Sequence, residues 1–288
     1  MMSNANPEEC SVDLYSLGEW TEWLKNHKYI IDPEFIDSMV RQISKAGIRE
    51  PFTKKSFAPE EVQIIGKNYR ETIKAGKLNS RLRGVFETIE GIGKEKPDVP
   101  SFRAKIYAPE AITDFALYMR GMFPKYIGSE YGSTLDEQIT LFPIPHQNLQ
   151  ALTWPPKSFD LIVSNDVFEH VADLDATLSE CARVLNDSGI LIATFPFANR
   201  SSTSLQRATI VNGKIQHYSE PEYHGNPMDP QGGSLVFQIP GWDILDRAKQ
   251  VGFKSAHIRF ISSCQYGILG AQYAGIFIFV AKKQNIYF

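Results

Sequence analysis

The amino-acid sequence predicts an α/β fold with a doubly wound, mainly parallel seven-stranded sheet and an α-helical N-terminal extension. From about residue 102 onward, short β-rich runs alternate with helical segments, the order that gives βαβ units and a parallel sheet. One run, FDLIVSND, is apolar at its centre, as in a parallel strand buried on both faces. The first 95 residues carry helical patterns instead.

Six strand segments can be identified in the C-terminal two thirds of the chain. They are FRAKIYA, KYIGSEY, FDLIVSND, GILIATFPF, SAHIRFIS and AGIFIFVAKK. Helical segments lie between several of them, namely TDFALYMRGMF, ATLSECARVLN and PGWDILDRAKQVGF. This alternation is the main support for the predicted fold class.

One apolar stripe marks the first helix of the extension. Within EWTEWLKNH, Trp20, Trp23 and Leu24 occupy positions i, i+3 and i+4. Such a stripe predicts core packing. The alternative is that the extension covers an acceptor pocket and contacts substrate through Trp20, Trp23, Tyr29, Tyr69 and Arg81.

Capping signals predict three further helices. Asp32 and Pro33 are typical of an N-cap and a first helical position, and Gly47 ends that helix. A third helix is predicted for residues 59–75, and Asn79 precedes a fourth.

Composition and charge exclude several classes of protein. The formal net charge is −3 and basic residues are scattered, so we expect no nucleic-acid partner. The three cysteines, Cys10, Cys181 and Cys264, form no CxxC pair, which disfavours a disulfide framework and favours a cytoplasmic location. No run approaches the roughly 20 apolar residues that span a bilayer. We expect a soluble protein with a small-molecule partner, and a homodimer is left open.

Glycine, proline and charged residues suggest a domain boundary. GIGKEKPDVPS is typical of a linker, so we predict a helical extension over 1–95 and a catalytic domain over 96–288. Within the latter, residues 198–240 form a long insertion after the fifth strand, and long loops are often functional lids. The alternative is a surface hairpin turning at VNGK. The final QNIYF is expected to be a loose tail.

A resemblance to a known family rests on residues 152–197. SFDLIVSNDVFEHV resembles the fourth strand and following loop of class I S-adenosylmethionine (SAM)-dependent methyltransferases, and ARVLNDSGILIATFP resembles their next helix-to-strand passage. The resemblance extends with lower specificity over about 100–283 and does not cover the N-terminal helices. It implies a Rossmann-like fold, SAM as the cofactor and S-adenosylhomocysteine (SAH) as the product.

Polar residues at predicted strand ends are candidates for the cofactor site, because open parallel sheets bind ligands beyond those ends. Glu130 can accept from both ribose hydroxyls, and Asn148 stands where the family often has an aspartate that faces adenine. The alternatives are a solvated carboxylate and a structural loop asparagine. The full predicted cofactor-binding set is Glu130, Asn148, Leu149, Asn165, Asp166, Tyr107, Ala108 and Glu110.

The first motif departs from the family pattern. The usual acidic-x-Gly-x-Gly loop after the first strand is absent, and AKIYAPEAIT stands in its place. Glycines there let the backbone approach the cofactor. Glu110 could instead pair with the ammonium group of SAM. The alternative is a damaged pocket in a catalytically impaired SAM-binding subunit.

Four residues are candidates for a general base on the acceptor side: His224, Tyr223, His170 and His146. DVFEHV also resembles the corresponding segment of ubiquinone-type O-methyltransferases, so Asp166, Glu169 and His170 could bind a divalent metal. We expect no metal, with these side chains in structural roles instead.

The sequence therefore predicts a SAM-dependent methyltransferase acting on oxygen or nitrogen of a small molecule, such as a natural-product intermediate, an amine or a sugar. A SAM-binding subunit without turnover and a protein methyltransferase are the alternatives. The absence of Gly-x-Gly-x-x-Gly disfavours a dinucleotide-dependent enzyme.

Overall fold

The structure is a computed structural model that describes residues 9–95, 102–226, 229 and 231–284. Most of the predicted linker and the last four residues of the chain lie outside the described residues. The chain divides into two compact units, one of residues 1–101 with 257–278 and one of residues 102–256 with 279–288. The catalytic domain over 96–288 and the insertion over 198–240 stay predictions about domain organisation.

Eight α-helices occur in the described part of the chain. They are α1 (Leu17–Asn26), α2 (Pro33–Ala46), α3 (Tyr69–Thr72), α4 (Ser80–Glu95), α5 (Asp114–Met122), α6 (Leu135–Leu141), α7 (Leu174–Val184) and α8 (Ile244–Gln250). Three short 3₁₀ turns accompany them, at Lys28–Ile31, Pro59–Glu61 and Phe168–His170.

The strands of the described residues comprise seven that form the main sheet and eleven short ones. They are β1 (Glu9–Leu14), β2 (Ile48–Arg49), β3 (Ser56–Phe57), β4 (Val62–Ile64), β5 (Ile73–Ala75), β6 (Leu78–Asn79), β7 (Ile106–Ala108), β8 (Tyr126–Gly128), β9 (Phe159–Asn165), β10 (Leu185–Thr194), β11 (Leu205–Gln206), β12 (Ala208–Val211), β13 (Lys214–His217), β14 (Tyr223–His224), β15 (Ser234–Leu235), β16 (Gln238–Ile239), β17 (Ser255–Ser263) and β18 (Ile276–Lys282).

The main sheet has the strand order β1-β17-β18-β10-β9-β7-β8. Four neighbouring strands, β10, β9, β7 and β8, pair in parallel, whereas β18 runs antiparallel to β10. Helices α5 and α7 make the crossovers from β7 to β8 and from β9 to β10. This arrangement confirms the predicted Rossmann-like α/β fold with a mainly parallel centre.

The seventh strand comes from the N-terminus, where the sequence pattern predicted none. Strand β1 pairs antiparallel with β17, and Leu14 lies opposite Ile258. Its residues ECSVDL alternate only weakly between apolar and polar, so the segment lacks a clear strand signature. Pairing with β17 supplies the backbone hydrogen bonds that define the strand.

Capping residues fix the second helix where the sequence predicted it. The Asp32 carboxylate accepts from the Glu34 N–H, and Pro33 occupies the first helical position of α2. Gly47 ends the helix with φ of +78°, a conformation that glycine adopts without a steric penalty. In α1, Trp20 is 2% exposed and packs against Phe260, so this face of the stripe is core.

The predicted third helix over Pro59–Ala75 is wrong. A 3₁₀ turn, strand β4, the four-residue helix α3 and strand β5 occupy the segment. The β-branched Val62 and Ile64 pair with Ala75 and Ile73 in an antiparallel β4–β5 ladder, and Gly66 between them has φ of +72°. Strand pairing across the segment therefore outweighs its helical propensity.

No helix in the described ranges is long and apolar enough to cross a membrane.

Candidate functional site

Three parallel strands bring their carboxyl ends to one edge of the sheet. Ala108, the last residue of β7, lies opposite Gly128, the last residue of β8. Asn165, the last residue of β9, lies opposite Thr194 of β10. Polar side chains that end or follow these strands therefore meet at this edge. We call Glu110, Glu130 and Asn165 the strand-end cluster.

Glu130 is anchored by the loop after β7. Its Oε1 accepts from the backbone N–H groups of Ala111 at 2.7 Å and Ile112 at 3.1 Å. Burial raises the pKa of the half-buried carboxyl above the ordinary glutamate value, while the two backbone hydrogen bonds act in the opposite direction. The carboxylate is thus oriented by the protein before any ligand arrives.

Glu110 links this loop to the end of β9. Only 8% of Glu110 is exposed; its Oε1 accepts from the Asn165 side-chain amide at 2.5 Å, and its Oε2 accepts from the Thr113 hydroxyl at 2.5 Å. Thr113 is also the N-cap of α5. The Asn165 Oδ1 atom is buried and accepts no hydrogen bond from the described residues. A ligand that donates hydrogen bonds would satisfy this oxygen.

A close backbone approach holds the loop after β7 against the end of β8. A Cβ atom placed on Gly128 would lie 2.5 Å from the Glu110 carbonyl oxygen and 2.9 Å from the Ala111 Cα. The same carbonyl accepts from the Tyr126 hydroxyl at 2.7 Å. The small residue that allows close contact therefore lies in β8, not in the glycine-poor loop itself.

The other residues predicted for the cofactor site differ in their surroundings. Tyr107 and Ala108 are completely buried, and the Tyr107 hydroxyl shares a hydrogen bond of 2.9 Å with Ser129 Oγ. Leu149 is also buried. The half-buried Asn148 uses its side-chain oxygen to accept from the Gln150 N–H at 2.9 Å. Contact of these four residues with a cofactor stays a prediction.

Asp166 follows β9 in an unusual backbone conformation. Its φ is +52°, in the left-handed region, where aspartate and asparagine are among the better tolerated residues. Its N–H donates to the Thr194 carbonyl at 2.9 Å. The chain therefore turns sharply after β9 before it enters the 3₁₀ turn Phe168–His170.

A second group lies on this turn and on the insertion. Glu169, His170 and His224 each place one potential metal-ligating atom within 4.8 Å of the other two. Glu169 is fully buried, and its Oε1 lies 3.8 Å from His170 Nε2 and 3.6 Å from His224 Nδ1. These distances exceed hydrogen-bond length, and neither carboxylate oxygen has a hydrogen-bond partner in the described residues. We call this group the histidine cluster.

Both imidazoles are held by their outer nitrogens. His170 Nδ1 lies 2.9 Å from the Leu235 carbonyl oxygen, and His224 Nε2 lies 3.2 Å from Glu222 Oε1. The two rings meet edge to face with centroids 5.2 Å apart. Glu169, and then Glu222, raise the pKa of His224 above the ordinary imidazole value, with burial opposing them.

Backbone pairing fixes the insertion at the histidine cluster. Strand β14 pairs with β15, so that His224 lies opposite Ser234. Just beyond, the Phe237 N–H donates to the Glu169 carbonyl at 2.8 Å, and the Gln238 side-chain amide donates to the Val171 carbonyl at 3.0 Å. The insertion is therefore clamped onto the 3₁₀ turn by main-chain bonds.

The remaining acceptor-side candidates lie elsewhere. Tyr223 is 57% exposed on β14. His146 pairs with Glu130 in an isolated parallel β-bridge, and its Nε2 lies 3.1 Å from the Gly132 carbonyl oxygen. Asp166 is not a member of the histidine cluster. The third side chain beside Glu169 and His170 is His224, which lies in the insertion.

The sequence does not predict the histidine cluster as one group. It places Glu169 and His170 with Asp166, and His224 on the wall of the insertion. No local signal joins residues 54 positions apart, because the contact depends on how the insertion folds back. The predicted turn at VNGK is present, since Asn212 and Gly213 both have positive φ between β12 and β13.

Comparison with known proteins gives one family match. Residues 130–193 match the family described as "Methyltransferase domain". The matched segment begins at Glu130 and contains Asn165, Glu169 and His170. Glu110 and His224 lie outside it.

Two mycobacterial proteins share similar segments. A "probable S-adenosylmethionine-dependent methyltransferase" of Mycobacterium tuberculosis is 42% identical over 65 residues, which cover 23% of this chain and 23% of that protein. A similarly described protein of Mycolicibacterium smegmatis is 39% identical over 69 residues, 24% of this chain and 26% of that protein. The chain thus spans about a quarter of the length of the curated relatives it matches.

Solved structures of similar chains include two described as SAM-dependent methyltransferases. The one from Mesorhizobium loti has a TM-score of 0.39 and 14% identity, over 66% of this chain and 95% of that chain. The one from Methanosarcina mazei has a TM-score of 0.36 and 14% identity, over 64% of this chain and 93% of that chain.

Proposed function

We propose that this chain, whose residues 130–193 match the family described as "Methyltransferase domain", is a SAM-dependent methyltransferase. Its acceptor is the oxygen or nitrogen of a small molecule. The observation that carries the proposal is the strand-end cluster. Glu130 and Asn165 lie within the matched segment, at the ends of the two strands that flank β7. The loop after β7 contacts both, through its backbone N–H groups to Glu130 and through Glu110 to Asn165. Ligands of open parallel sheets bind at this edge.

The residues of the strand-end cluster fit the polar groups of SAM. The buried Asn165 Oδ1 lacks a donor and lies on the side chain that donates to Glu110 Oε1. Together this carbonyl and this carboxylate offer the acceptors that an ammonium group requires. Glu130, already oriented through Oε1, offers its second oxygen to ribose hydroxyls.

The loop after β7 is ordered despite its missing glycines. It approaches β8 closely because Gly128 has no side chain. Glu110 of this loop also accepts from Asn165 and Thr113. These contacts support an altered first motif in preference to a damaged one.

SAM, when bound, supplies a methyl group that its sulfonium already activates for in-line displacement. The protein has to hold the acceptor atom in line with that methyl group and to exclude water. Positioning of this kind contributes about 7–11 kcal/mol in favourable cases. The electron pair of the acceptor forms the new bond, that of the broken bond returns to sulfur, and a hydroxyl or ammonium acceptor loses its proton to a base or to water.

The histidine cluster is the proposed acceptor side. It follows directly after β9 through the turn Phe168–His170, and the insertion completes it with His224. Both imidazoles are partly exposed, at 16% and 30% of their side-chain area, so a small molecule could reach them. Tyr223 neighbours His224 on β14, whereas His146 pairs with Glu130 and lies outside the histidine cluster.

Labelled SAM tests the proposal. The purified chain is incubated with SAM, with and without a metabolite extract, and SAH is quantified. Extract-dependent SAH formation supports a small-molecule methyltransferase. SAM binding without SAH formation would favour the non-catalytic subunit, and SAH formed only with a protein fraction would favour a protein methyltransferase.

A further inference from the structure

The histidine cluster contains a buried carboxylate that the protein leaves unsatisfied. Glu169 is 0% exposed, and both of its carboxylate oxygens lack a hydrogen-bond partner among the described residues. Burying a carboxylate without compensation costs several kcal/mol, so buried charges are paired or coordinate a metal. The nearest polar atoms are His170 Nε2 and His224 Nδ1, at 3.8 and 3.6 Å.

The outer contacts of the two histidines determine which nitrogen carries the proton. The Leu235 carbonyl can only accept, so His170 Nδ1 donates to it and Nε2 keeps its lone pair. In the same way Glu222 accepts from His224 Nε2, which leaves the lone pair on Nδ1 of the neutral ring. While both rings are neutral, no proton lies between these two nitrogens and the Glu169 carboxylate oxygen.

We propose that Glu169, His170 and His224 bind one divalent transition-metal ion. The three side chains each offer one ligand atom within 4.8 Å of the other two. We assign a Glu169 carboxylate oxygen, His170 Nε2 and His224 Nδ1 as the ligands. Ligands bonded at about 2.0–2.2 Å to one tetrahedral ion stand roughly 3.4 Å apart. This spacing is close to the 3.8 and 3.6 Å that separate the two nitrogens from Glu169 Oε1. A cation between these atoms removes the repulsion that their lone pairs otherwise create.

The outer ring nitrogens of both histidines make the contacts that metal-binding histidines use. Such a histidine typically donates its other ring N–H to a backbone carbonyl or to a carboxylate, which fixes its tautomer and orientation. Leu235 and Glu222 serve as these two acceptors. Arg207 in turn lies 3.2 Å from the second oxygen of Glu222, so that the carboxylate is itself held in place.

The donor set indicates the class of ion. Imidazole nitrogens suit Zn²⁺, Fe²⁺ and related ions, whereas Mg²⁺ and Ca²⁺ prefer oxygen ligands. Three protein ligands leave at least one coordination position open, as in catalytic zinc sites. Ion binding does not depend on the proposed function. The role of the open position does rest on it: an acceptor oxygen would occupy that position and lose its proton more readily.

Metal binding is tested without SAM. The purified protein is treated with EDTA, dialysed, and titrated with Zn²⁺ by calorimetry; Co²⁺ binding is followed by its visible spectrum. We expect one ion per chain. Glu169→Gln and His224→Asn should each weaken Zn²⁺ binding at least 100-fold. Glu222→Gln, which changes only the group that accepts from His224 Nε2, should weaken it about 10- to 100-fold.

His217→Asn is the matched control, because His217 is an exposed histidine on β13 of the same insertion. It should bind Zn²⁺ like the wild type. Circular dichroism establishes that each variant is folded. The proposal is overturned if the wild type binds no ion, or if the Glu169 and His224 variants bind Zn²⁺ as tightly as the His217 control. SAM binding measured on the metal-free protein tests the proposed function separately.

Discussion

The strand-end cluster and the histidine cluster each contain a buried glutamate, yet the protein treats the two carboxylates differently. Glu110 accepts from Asn165 and Thr113. Glu169 accepts from no described side chain or backbone group. Both lie next to the carboxyl ends of parallel strands, and both are less than a tenth exposed.

The difference shows what each region requires from a ligand. In the strand-end cluster the protein's own hydrogen bonds hold the carboxylates in place, so they are already oriented when a ligand binds. In the histidine cluster no described group donates a hydrogen bond to the Glu169 carboxylate, so a cation or a donor would complete it. Removal of Glu130 from the strand-end cluster should therefore weaken SAM binding. Replacement of Glu169 in the histidine cluster should instead stabilise the metal-free protein.

Among the predictions on SAM binding and protein stability, the largest effect is expected for Glu130→Ala. Hydrogen bonds to a charged group contribute about 1.5–3 kcal/mol, so losing the contact with ribose should weaken SAM binding about 10- to 100-fold. Calorimetry with SAM measures it. Glu220→Ala, which removes an exposed glutamate of the insertion, is the control and should bind like the wild type. Equal affinity of the two variants would remove Glu130 from the cofactor site.

Gly128→Ala tests the close approach behind the strand-end cluster. The new Cβ would lie 2.5 Å from a backbone oxygen, and overpacking of this kind lowers the free energy of unfolding by about 1–3 kcal/mol. Thermal unfolding measures the loss. Gly121→Ala in α5 is the control, since its Cβ meets nothing within 4 Å, and it should be neutral or stabilising. If the Gly128 variant were as stable as this control, the loop after β7 could move away from the new Cβ atom without a loss of stability.

Glu169→Gln should stabilise the metal-free protein, whereas Gly128→Ala should destabilise the protein. At pH 8.5 with EDTA, the glutamine amide can donate to a histidine nitrogen where the carboxylate could not. We expect a gain of roughly 1 kcal/mol, or about 2–4 °C in melting temperature for the metal-free protein. The exposed Glu220→Gln should leave the melting temperature unchanged. A lower melting temperature for the Glu169 variant would mean that the wild-type carboxylate is stabilised by a partner.

The smallest effect concerns pH. Burial raises the pKa of Glu130 above the ordinary glutamate value. The ionised carboxylate is the form that accepts from ribose hydroxyls, so SAM affinity should be full above this pKa and decline as the pH falls through it. The decline should begin at a higher pH than an ordinary glutamate would give. Glu130→Gln, assayed by calorimetry over the same range, should remove that component.

Local signals in the sequence predicted part of the fold. Asp32, Pro33 and Gly47 define α2 through contacts within a few residues, and the apolar run of β9 needs only its own composition. The strand β1 and the β4–β5 ladder could not be predicted in this way, because each depends on pairing with a partner that the local pattern does not specify.

The candidate site shows the same division. Glu130 and Asn165 follow strand segments that the sequence identifies, so their placement at one edge could be inferred from topology. The hydrogen bond between Glu110 and Asn165 joins positions 55 residues apart, and the approach of His224 to Glu169 depends on the folded insertion. Neither contact leaves a local pattern in the sequence.

Titration of SAM into the purified wild-type chain by calorimetry tests the central claim most directly. The account predicts one site per chain with a dissociation constant well below about 1 mM, weakened in Glu130→Ala and retained in Glu220→Ala. Heats that stay at the level of dilution at millimolar SAM, with the protein folded by circular dichroism, would contradict it.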